Sequence, residues 1–308
     1  MSRKLISFDW AIKRLLRSKA NHEVLEGFLS ELLKDDVSII EVLESESNQE
    51  TQQDKFNRVD LKVKNSRQEI LIIEIQYDRE LDYFQRILYA TSKAIIEHQH
   101  KGDAYQNIVK VISINILYFN LGEGDDYIYK GTTQFKGLHK QDKLQLTTGQ
   151  KKLFSKKKVH NIFPEYYLIR VNKFNDIAKN SLDEWIYFLK NEEIRENFKA
   201  KGLKKAKSVL DIMKLSEPER IAYERYMENK SYQASMYQST YVTGHLKGRL
   251  VGKEEGRKEG RKEGRKEGRK EGKKEGKIEM AILMKKEGEP VDKIMKYTQL
   301  SRQEIESL

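Results

Sequence analysis

Two acidic residues on neighbouring predicted strands, Asp60 and Glu74, carry the clearest chemical signal in this sequence. Alternating apolar residues predict strands at 59–63 and 70–77, joined by a short polar turn. If that turn is centred on Arg67, the two acidic residues face each other across the hairpin, with their Cβ atoms roughly 4.5–5.5 Å apart on one face. The apolar residues of both strands then point to the other face and into the core.

Two carboxylates that converge at the end of a sheet repel each other unless a cation lies between them. Mg²⁺ prefers a few carboxylate oxygens plus several waters, one of which can become a nucleophile toward a phosphodiester. Asp60 and Glu74 are therefore candidate Mg²⁺ ligands, with Mn²⁺ as an alternative ion, and Gln76 shares their face by parity. A one-residue slip of the register would send one carboxylate to the opposite face, and two polar residues on a solvent face are the ordinary alternative.

Predicted helices stand on either side of the hairpin. Apolar spacing predicts a long helix over 8–33, broken near 19–21, and a second helix over 80–97. A strand at 37–43 precedes the hairpin, and a largely buried strand at 108–119 follows the second helix. This order of helix, β-meander, helix and strand predicts an α/β fold with a mixed sheet flanked by helices. Further strands are predicted at 127–135, 143–146 and 166–171.

The first predicted helix offers auxiliary site residues. Asp9 is a candidate third acidic group, with Glu23 and Glu31 as competitors, although a carboxylate on a helix is usually solvated. Lys13 follows Asp9 by one turn, so it either contacts a phosphate or pairs with Asp9.

The second predicted helix offers a candidate nucleic-acid contact. Arg86 is flanked by Tyr83 and Tyr89 at i−3 and i+3, and such a one-sided stripe can contact the DNA backbone. The alternative is that the tyrosines pack on the sheet and that Arg86 is an ion-paired flank. Lys62, which shares the face of Asp60 by parity, is a candidate source of positive charge beside Gln76.

The most regular feature is a tract in which glycine recurs every fourth residue from Gly244 to Gly276, mostly separated by Arg-Lys-Glu or Lys-Lys-Glu. Each glycine costs about 1 kcal/mol relative to alanine in a helix, so the tract is predicted to be marginal alone, as a helix or a flexible spacer. Three short helices are predicted beyond it, at 280–285, 291–297 and 302–308, with Ser301 as an N-cap and Glu304 completing a capping box. They form a helix-turn-helix or a helical hairpin that mediates oligomers. The predicted divisions are a core at 1–175, a helical extension at 176–243, the repeat at 244–279 and a terminal motif at 280–308.

Composition limits the remaining classes of function. The chain has 308 residues, a formal net charge of +11 and no cysteine, which excludes disulfides, thiolate metal sites and cysteine nucleophiles. The six histidines show no zinc spacing, and neither a phosphate-binding glycine loop nor a Gly-x-Ser-x-Gly elbow is present. The N-terminus does not resemble a signal peptide, and no apolar segment is long enough for a membrane helix. We therefore expect a cytoplasmic protein for which a nucleic-acid partner is permitted.

The order and spacing of these motifs resemble the PD-(D/E)XK nuclease superfamily and, more narrowly, the recombination-promoting nuclease and transposase family of bacteria. The similarity covers nearly the whole chain and ends with the charged glycine repeat. It is carried by Phe8-Asp9-Trp10-Ala11-Ile12-Lys13, Asn21, Phe28-Leu29-Ser30-Glu31-Leu32-Leu33, Arg58-Val59-Asp60-Leu61, Ile73-Glu74-Ile75-Gln76 and Tyr83-Phe84-Gln85-Arg86-Ile87-Leu88-Tyr89.

The resemblance implies Mg²⁺-dependent hydrolysis of DNA in a bacterial cytoplasm, near the nucleoid, with a link to recombination. Asp60, Glu74 and Gln76 would be the catalytic residues, and the two carboxylates would hold the metal. The superfamily commonly has a lysine at the position of Gln76, and glutamine cannot carry its positive charge. A rival prediction is therefore a nuclease-fold protein with weak or no catalysis that binds DNA or forms oligomers. A third prediction makes the tail at 246–308 the functional part, as a basic arm on a structural domain.

Overall fold

The computed structural model describes residues 5–43, 59–99, 102 and 104–308. The chain divides into two compact units, Met1–Tyr226 and Met227–Leu308. Among the described residues, no helix combines the length and apolar character needed to cross a membrane. Arg58, which contributes to the resemblance above, lies outside the described residues.

The first unit is built on one mixed sheet, as the sequence predicts, and this sheet has six strands among the described residues. Its strands are β1 (Ile39–Leu43), β2 (Leu61–Asn65), β3 (Ile70–Gln76), β4 (Val111–Leu117), β5 (Ile128–Gly131) and β6 (Glu165–Arg170). Their spatial order is β1-β2-β3-β4-β6-β5, and β4 is parallel to both β3 and β6, whereas the other pairs are antiparallel. The central strand β4 is buried along its whole length, which explains its continuous run of apolar residues.

Helices precede, connect and follow the strands of the first unit. They are α1 (Phe8–Arg14), α2 (His22–Leu33), α3 (Tyr83–Glu97), α4 (Thr148–Phe154), α5 (Ser181–Asn191) and α6 (Leu203–Val209). A single 3-10 turn at Lys19–Asn21 separates α1 from α2, so the predicted break is confirmed. The helix α3 connects the parallel strands β3 and β4, as in a βαβ unit.

An aromatic cluster fixes the position of α1. The ring of Phe8 lies 5.7 Å from that of Phe28 on α2, and 6.2 and 6.1 Å from those of Trp185 and Phe188 on α5, in edge-on geometry. All four side chains are buried. Since aromatic pairs of this kind add about 0.5–1.5 kcal/mol each beyond the area they bury, α1 is firmly anchored to the body of the unit.

A close backbone approach at Gly27 holds α2 in place. A Cβ atom at this position would lie 2.3 Å from the carbonyl oxygen of Lys201, and Gly202 beside it has a φ of +82°. Only glycine allows the two segments to approach so closely, since any Cβ would overlap with backbone atoms.

One predicted strand is absent, and one helix was missed. The predicted strand at 143–146 is absent, and only an isolated bridge between Lys136 and Lys143 forms there, because no neighbouring strand runs alongside. The helix α4 follows directly and was not predicted, although Thr147 and Gln150 form a capping box at its start.

The second unit is helical. The long helix α7 (Glu217–Lys286) begins in the first unit and includes the glycine tract, whose residues 244–276 are all helical and exposed. The predicted separate helix at 280–285 is the end of α7. Two short helices follow, α8 (Val291–Thr298) and α9 (Arg302–Glu306), and Ser301 caps α9 with the predicted capping box. Ala281, Ile294, Leu300 and Ile305 form their small core.

Candidate active site

The hairpin register brings Asp60 and Glu74 together. The observed pairs Leu61 with Ile73 and Val63 with Leu71 follow the predicted register, which is therefore confirmed. When this register is continued by one residue, it places Asp60, just before β2, opposite Glu74 on β3. The backbone N–H of Ile75 donates a hydrogen bond of 2.7 Å to Asp60 Oδ2, which holds the carboxylate against the end of β3.

Both carboxylates are largely removed from water, with side-chain exposures of 16% for Asp60 and 9% for Glu74. Burial raises the pKa of Asp60, although Lys13 and the Ile75 N–H act in the opposite direction. Burial likewise raises the pKa of Glu74 to about 7; Arg86 opposes this change, and Asp60 adds to it. The neighbouring cations therefore do not fully offset the cost of burying the charge of these carboxylates. A bound metal cation would stabilise their ionised forms.

Lys13 reaches this pair from α1. Its Nζ lies 3.2 Å from Asp60 Oδ1 and 2.7 Å from Asp9 Oδ1, so it bridges the carboxylates of the helix and the hairpin. Burial alone would lower the pKa of Lys13, but Asp60 and Asp9 more than compensate and raise it. Pairing with Asp9 was one of the two options that the sequence left open for Lys13, whereas the contact with Asp60 was not predicted.

Asp9 is turned toward Lys13 and Tyr226. The hydroxyl of Tyr226, on the first turns of α7, donates a hydrogen bond to Asp9 Oδ2, and the Asp9 residue is 3% exposed. This arrangement makes Asp9 the anchor of Lys13. Of its predicted competitors, Glu31 accepts a hydrogen bond from Ser181, and Glu23 is exposed on α2.

Arg86 approaches from α3 on the other side. Its guanidinium pairs with Glu74 and lies 2.6 Å from Glu80 Oε1. Gln76 takes part in the same group, since its Nε2 donates a hydrogen bond of 2.9 Å to Glu80 Oε1. Glu80, in the segment between β3 and α3, is a residue that sequence reasoning missed, and its only signal is an acidic side chain six residues before an arginine.

Two predicted roles require correction. Tyr83 is 1% exposed, packs edge-on against Phe119 and donates a hydrogen bond of 3.2 Å to Asn115 Oδ1, so its ring belongs to the core and cannot contact DNA. Lys62 shares the predicted face, but its Nζ lies 2.8 Å from Glu97 Oε2 on α3, which commits its charge to that carboxylate. Tyr89 remains 40% exposed on α3.

Asn115 is a second residue that the sequence analysis missed. It is paired with Glu74 in the β3–β4 register, is 2% exposed, and donates hydrogen bonds to Ser113 Oγ and the Tyr167 carbonyl. A polar side chain inside the apolar run of β4 was its signal. Because its amide is fully hydrogen-bonded, Asn115 stabilises the part of β4 that pairs with Glu74 on β3.

The donor set suits a divalent cation that keeps most of its own water. Within the ranges described above, no group of three or more histidine, aspartate or glutamate side chains is arranged to enclose a metal. Asp60 and Glu74 are two hard oxygen donors, and Mg²⁺ typically binds through one or two carboxylates plus water and substrate phosphate. The residues present therefore fit such an ion.

Comparison with known proteins identifies the family of this chain. Residues 6–239 match the family described as PD-(D/E)XK nuclease family transposase. Searches of curated proteins and of solved structures found no significant match. The matched segment contains the whole sheet, both carboxylates and the start of α7. Since the match spans well over half of the sequence, the chain belongs to the PD-(D/E)XK nuclease family of transposases.

Proposed function

We propose that this chain is a Mg²⁺-dependent DNA endonuclease that acts in recombination or transposition, with Asp60 and Glu74 as the metal ligands. The observation that carries the proposal is the meeting of the half-buried Asp60 and the buried Glu74 at the end of the hairpin, where burial raises the pKa of Glu74 to about 7. A bound Mg²⁺ would polarise the phosphodiester and lower the pKa of a coordinated water.

Lys13 supplies positive charge beside the reacting phosphate. Its side chain is 43% exposed, so the ammonium is accessible from solvent while Asp9 holds it next to Asp60. Hydrolysis places additional negative charge on the phosphoryl oxygens, and a fixed cation at that point lowers the barrier. In this site Lys13 takes over the electrostatic role that the uncharged Gln76 cannot perform.

Gln76 and Arg86 orient the groups around the carboxylates. The Gln76 amide nitrogen is bound to Glu80, which leaves its carbonyl oxygen to accept a hydrogen bond from the attacking water. Arg86 is held by Glu74 and Glu80, so it fixes the Glu74 carboxylate in one orientation.

Cleavage of supercoiled plasmid tests the proposal, with Mg²⁺, Mn²⁺ or EDTA and with the wild type, Asp60→Ala and Glu74→Ala. We expect metal-dependent cleavage by the wild type and its loss in both variants. Glu97→Ala is the matched control, because this carboxylate pairs with Lys62 outside the site and its removal should leave cleavage intact. Unchanged cleavage by Asp60→Ala would overturn the site assignment.

The role of Lys13 can be tested separately with Lys13→Met, which keeps the length of the side chain and removes its charge. We expect kcat to fall by about 100-fold with a smaller effect on KM, which is typical of the loss of one electrostatic contact to the transition state. Lys13→Arg should recover part of the rate. Arg14→Met, on the exposed side of the same helix, is the control. An unchanged kcat in Lys13→Met would refute the role.

A second candidate function is DNA binding without efficient cleavage. It is favoured by Gln76 in place of a lysine and by the two cations, Lys13 and Arg86, that pair with the carboxylates. Metal-independent binding of duplex DNA together with no cleavage under any metal would support this function over the first.

A further inference from the structure

The charged tract of α7 has an electrostatic pattern that a stable isolated helix would avoid. At 3.6 residues per turn, side chains four positions apart are neighbours on the helix surface. At this interval the four-residue repeat places arginine beside arginine, lysine beside lysine and glutamate beside glutamate, and opposite charges are neighbours only three positions apart, as for Glu259 and Lys262. Arg261, Arg265 and Arg269, for example, are successive neighbours along the helix surface. Such like-charge neighbours destabilise a helix, whereas helices that serve as rigid spacers alternate opposite charges at this interval.

The ion pairs of the tract follow from this spacing. Among the described residues 244–276, the ion pair that forms joins Lys258 to Glu254 at 3.0 Å. It occurs where two consecutive glutamates, Glu254 and Glu255, interrupt the repeat and bring opposite charges four positions apart. Where the repeat is regular, the described arginines and lysines have no carboxylate within ion-pair distance.

These cations occupy one side of the helix. Each residue advances about 100° around the axis, so the arginine and lysine of each repeat are adjacent, and each repeat is displaced by about 40° from the one before. Over three repeats the cations cover about half of the circumference, and glutamate and glycine take the rest. We call this surface the cationic ridge. It consists of Arg261, Lys262, Arg265, Lys266, Arg269 and Lys270, whose side chains border a common groove.

We propose that the cationic ridge binds the phosphate backbone of DNA. The ridge carries two cations per four residues, or about one per 3 Å of helix, and duplex DNA carries one negative charge per roughly 1.7 Å. Phosphates that lie along the ridge would relieve the repulsion between its like-charged neighbours. Because the contacts are charge to phosphate, binding is independent of base sequence. The choice of DNA as the polyanion rests on the proposed function.

Binding of the full-length chain to a labelled duplex of about 30 base pairs, measured by fluorescence anisotropy in EDTA, tests the proposal between about 50 and 200 mM salt. A variant with the six ridge residues changed to glutamine should bind at least tenfold more weakly at the lower salt concentrations. Each lost phosphate contact lowers the slope of log K against log salt by about 0.9, so we expect a decrease of about 3 to 5. A decrease below about 1 would overturn the proposal.

Matched variants separate charge from folding. Replacing Arg261, Arg265 and Arg269 with lysine keeps the charge and should keep the affinity and the slope. Replacing Glu263, Glu267 and Glu271 with glutamine changes the same helix but spares the ridge, so affinity should be equal or higher. Circular dichroism should show an unchanged helix content in all variants, because glutamine and lysine are good helix formers. Equal weakening by the glutamate and ridge variants would overturn the proposal.

Further outcomes distinguish a failure of the nuclease proposal from a failure of the DNA-binding proposal. Because binding is measured without metal, ridge-dependent binding by a chain that cleaves no DNA would refute the nuclease proposal and keep this one. Cleavage with the same KM in the wild type and the ridge variant would refute the DNA-binding role of the ridge and keep the nuclease proposal. Ridge-dependent binding to phosphatidylserine vesicles, with no ridge-dependent binding to DNA, would overturn the proposal in favour of an anionic membrane surface.

Discussion

The titration of Glu74 gives a prediction that is independent of enzymatic activity. Burial raises the pKa of this residue from 4.5 to about 7, although Arg86 opposes the change. The folded chain therefore keeps the Glu74 proton up to about pH 7, whereas the unfolded chain releases it near pH 4.5. A group whose pKa is raised on folding contributes stability that is complete below its unfolded pKa and is lost as the pH rises through its folded pKa.

The size of the effect follows from the interval between the two pKa values. Each unit corresponds to about 1.4 kcal/mol, so the wild type should lose about 3 kcal/mol of stability through Glu74 between pH 4.5 and pH 8. Glu74→Gln has nearly the same shape and no proton to release. The difference in the free energy of unfolding, wild type minus Glu74→Gln, should therefore fall by about 3 kcal/mol over this range.

Urea unfolding followed by circular dichroism, at several pH values and constant ionic strength in EDTA, measures this difference. Other titrating groups largely cancel because both proteins contain them. Glu196→Gln is the control, since the Glu196 side chain is 94% exposed and Lys207 lowers its pKa. For this control, the free energy of unfolding of the wild type minus that of Glu196→Gln should not fall between pH 5 and pH 8.

Parallel pH profiles for the wild type and Glu74→Gln would refute the reasoning. They would mean that Glu74 is ionised throughout and that its pair with Arg86 outweighs its burial. A second arm adds Mg²⁺ at pH 8, where a cation beside the ionised carboxylate should stabilise the wild type and leave Glu74→Gln nearly unchanged. Equal effects of Mg²⁺ on both proteins would argue against Glu74 as a ligand.

Further predictions concern packing and the positioning of Lys13. Gly27→Ala should destabilise the fold by about 1–3 kcal/mol, because its Cβ would overlap the Lys201 carbonyl, and thermal unfolding measures the loss. Gly149→Ala, with nothing closer than 4.0 Å, should instead raise stability by about 0.4–1 kcal/mol; a similar loss at both positions would contradict the close-approach argument. Tyr226→Phe should cost about 1.5–3 kcal/mol, since it removes a hydrogen bond to the Asp9 carboxylate, and unchanged urea unfolding would contradict this.

The sequence alone predicted the hairpin and the placement of its carboxylates. The register between β2 and β3 depends on a short turn and on the alternation of side chains, and both are local properties of the chain. The mixed sheet and the break between the first helices were predictable for the same reason, since hydrophobic periodicity reports secondary structure directly. The strand expected at 143–146 failed because a strand also needs a neighbour, which the local pattern does not supply.

Only the tertiary structure decided which cation serves the candidate site. Parity along β2 favoured Lys62, but the packing of α3 places Glu97 next to that lysine. Lys13 instead arrives from α1, 47 positions before Asp60 in the chain, and is held there by Asp9 and, through it, by Tyr226 on α7. These contacts depend on how the aromatic core orients α1 against the sheet, and periodicity within a segment carries no information on that orientation.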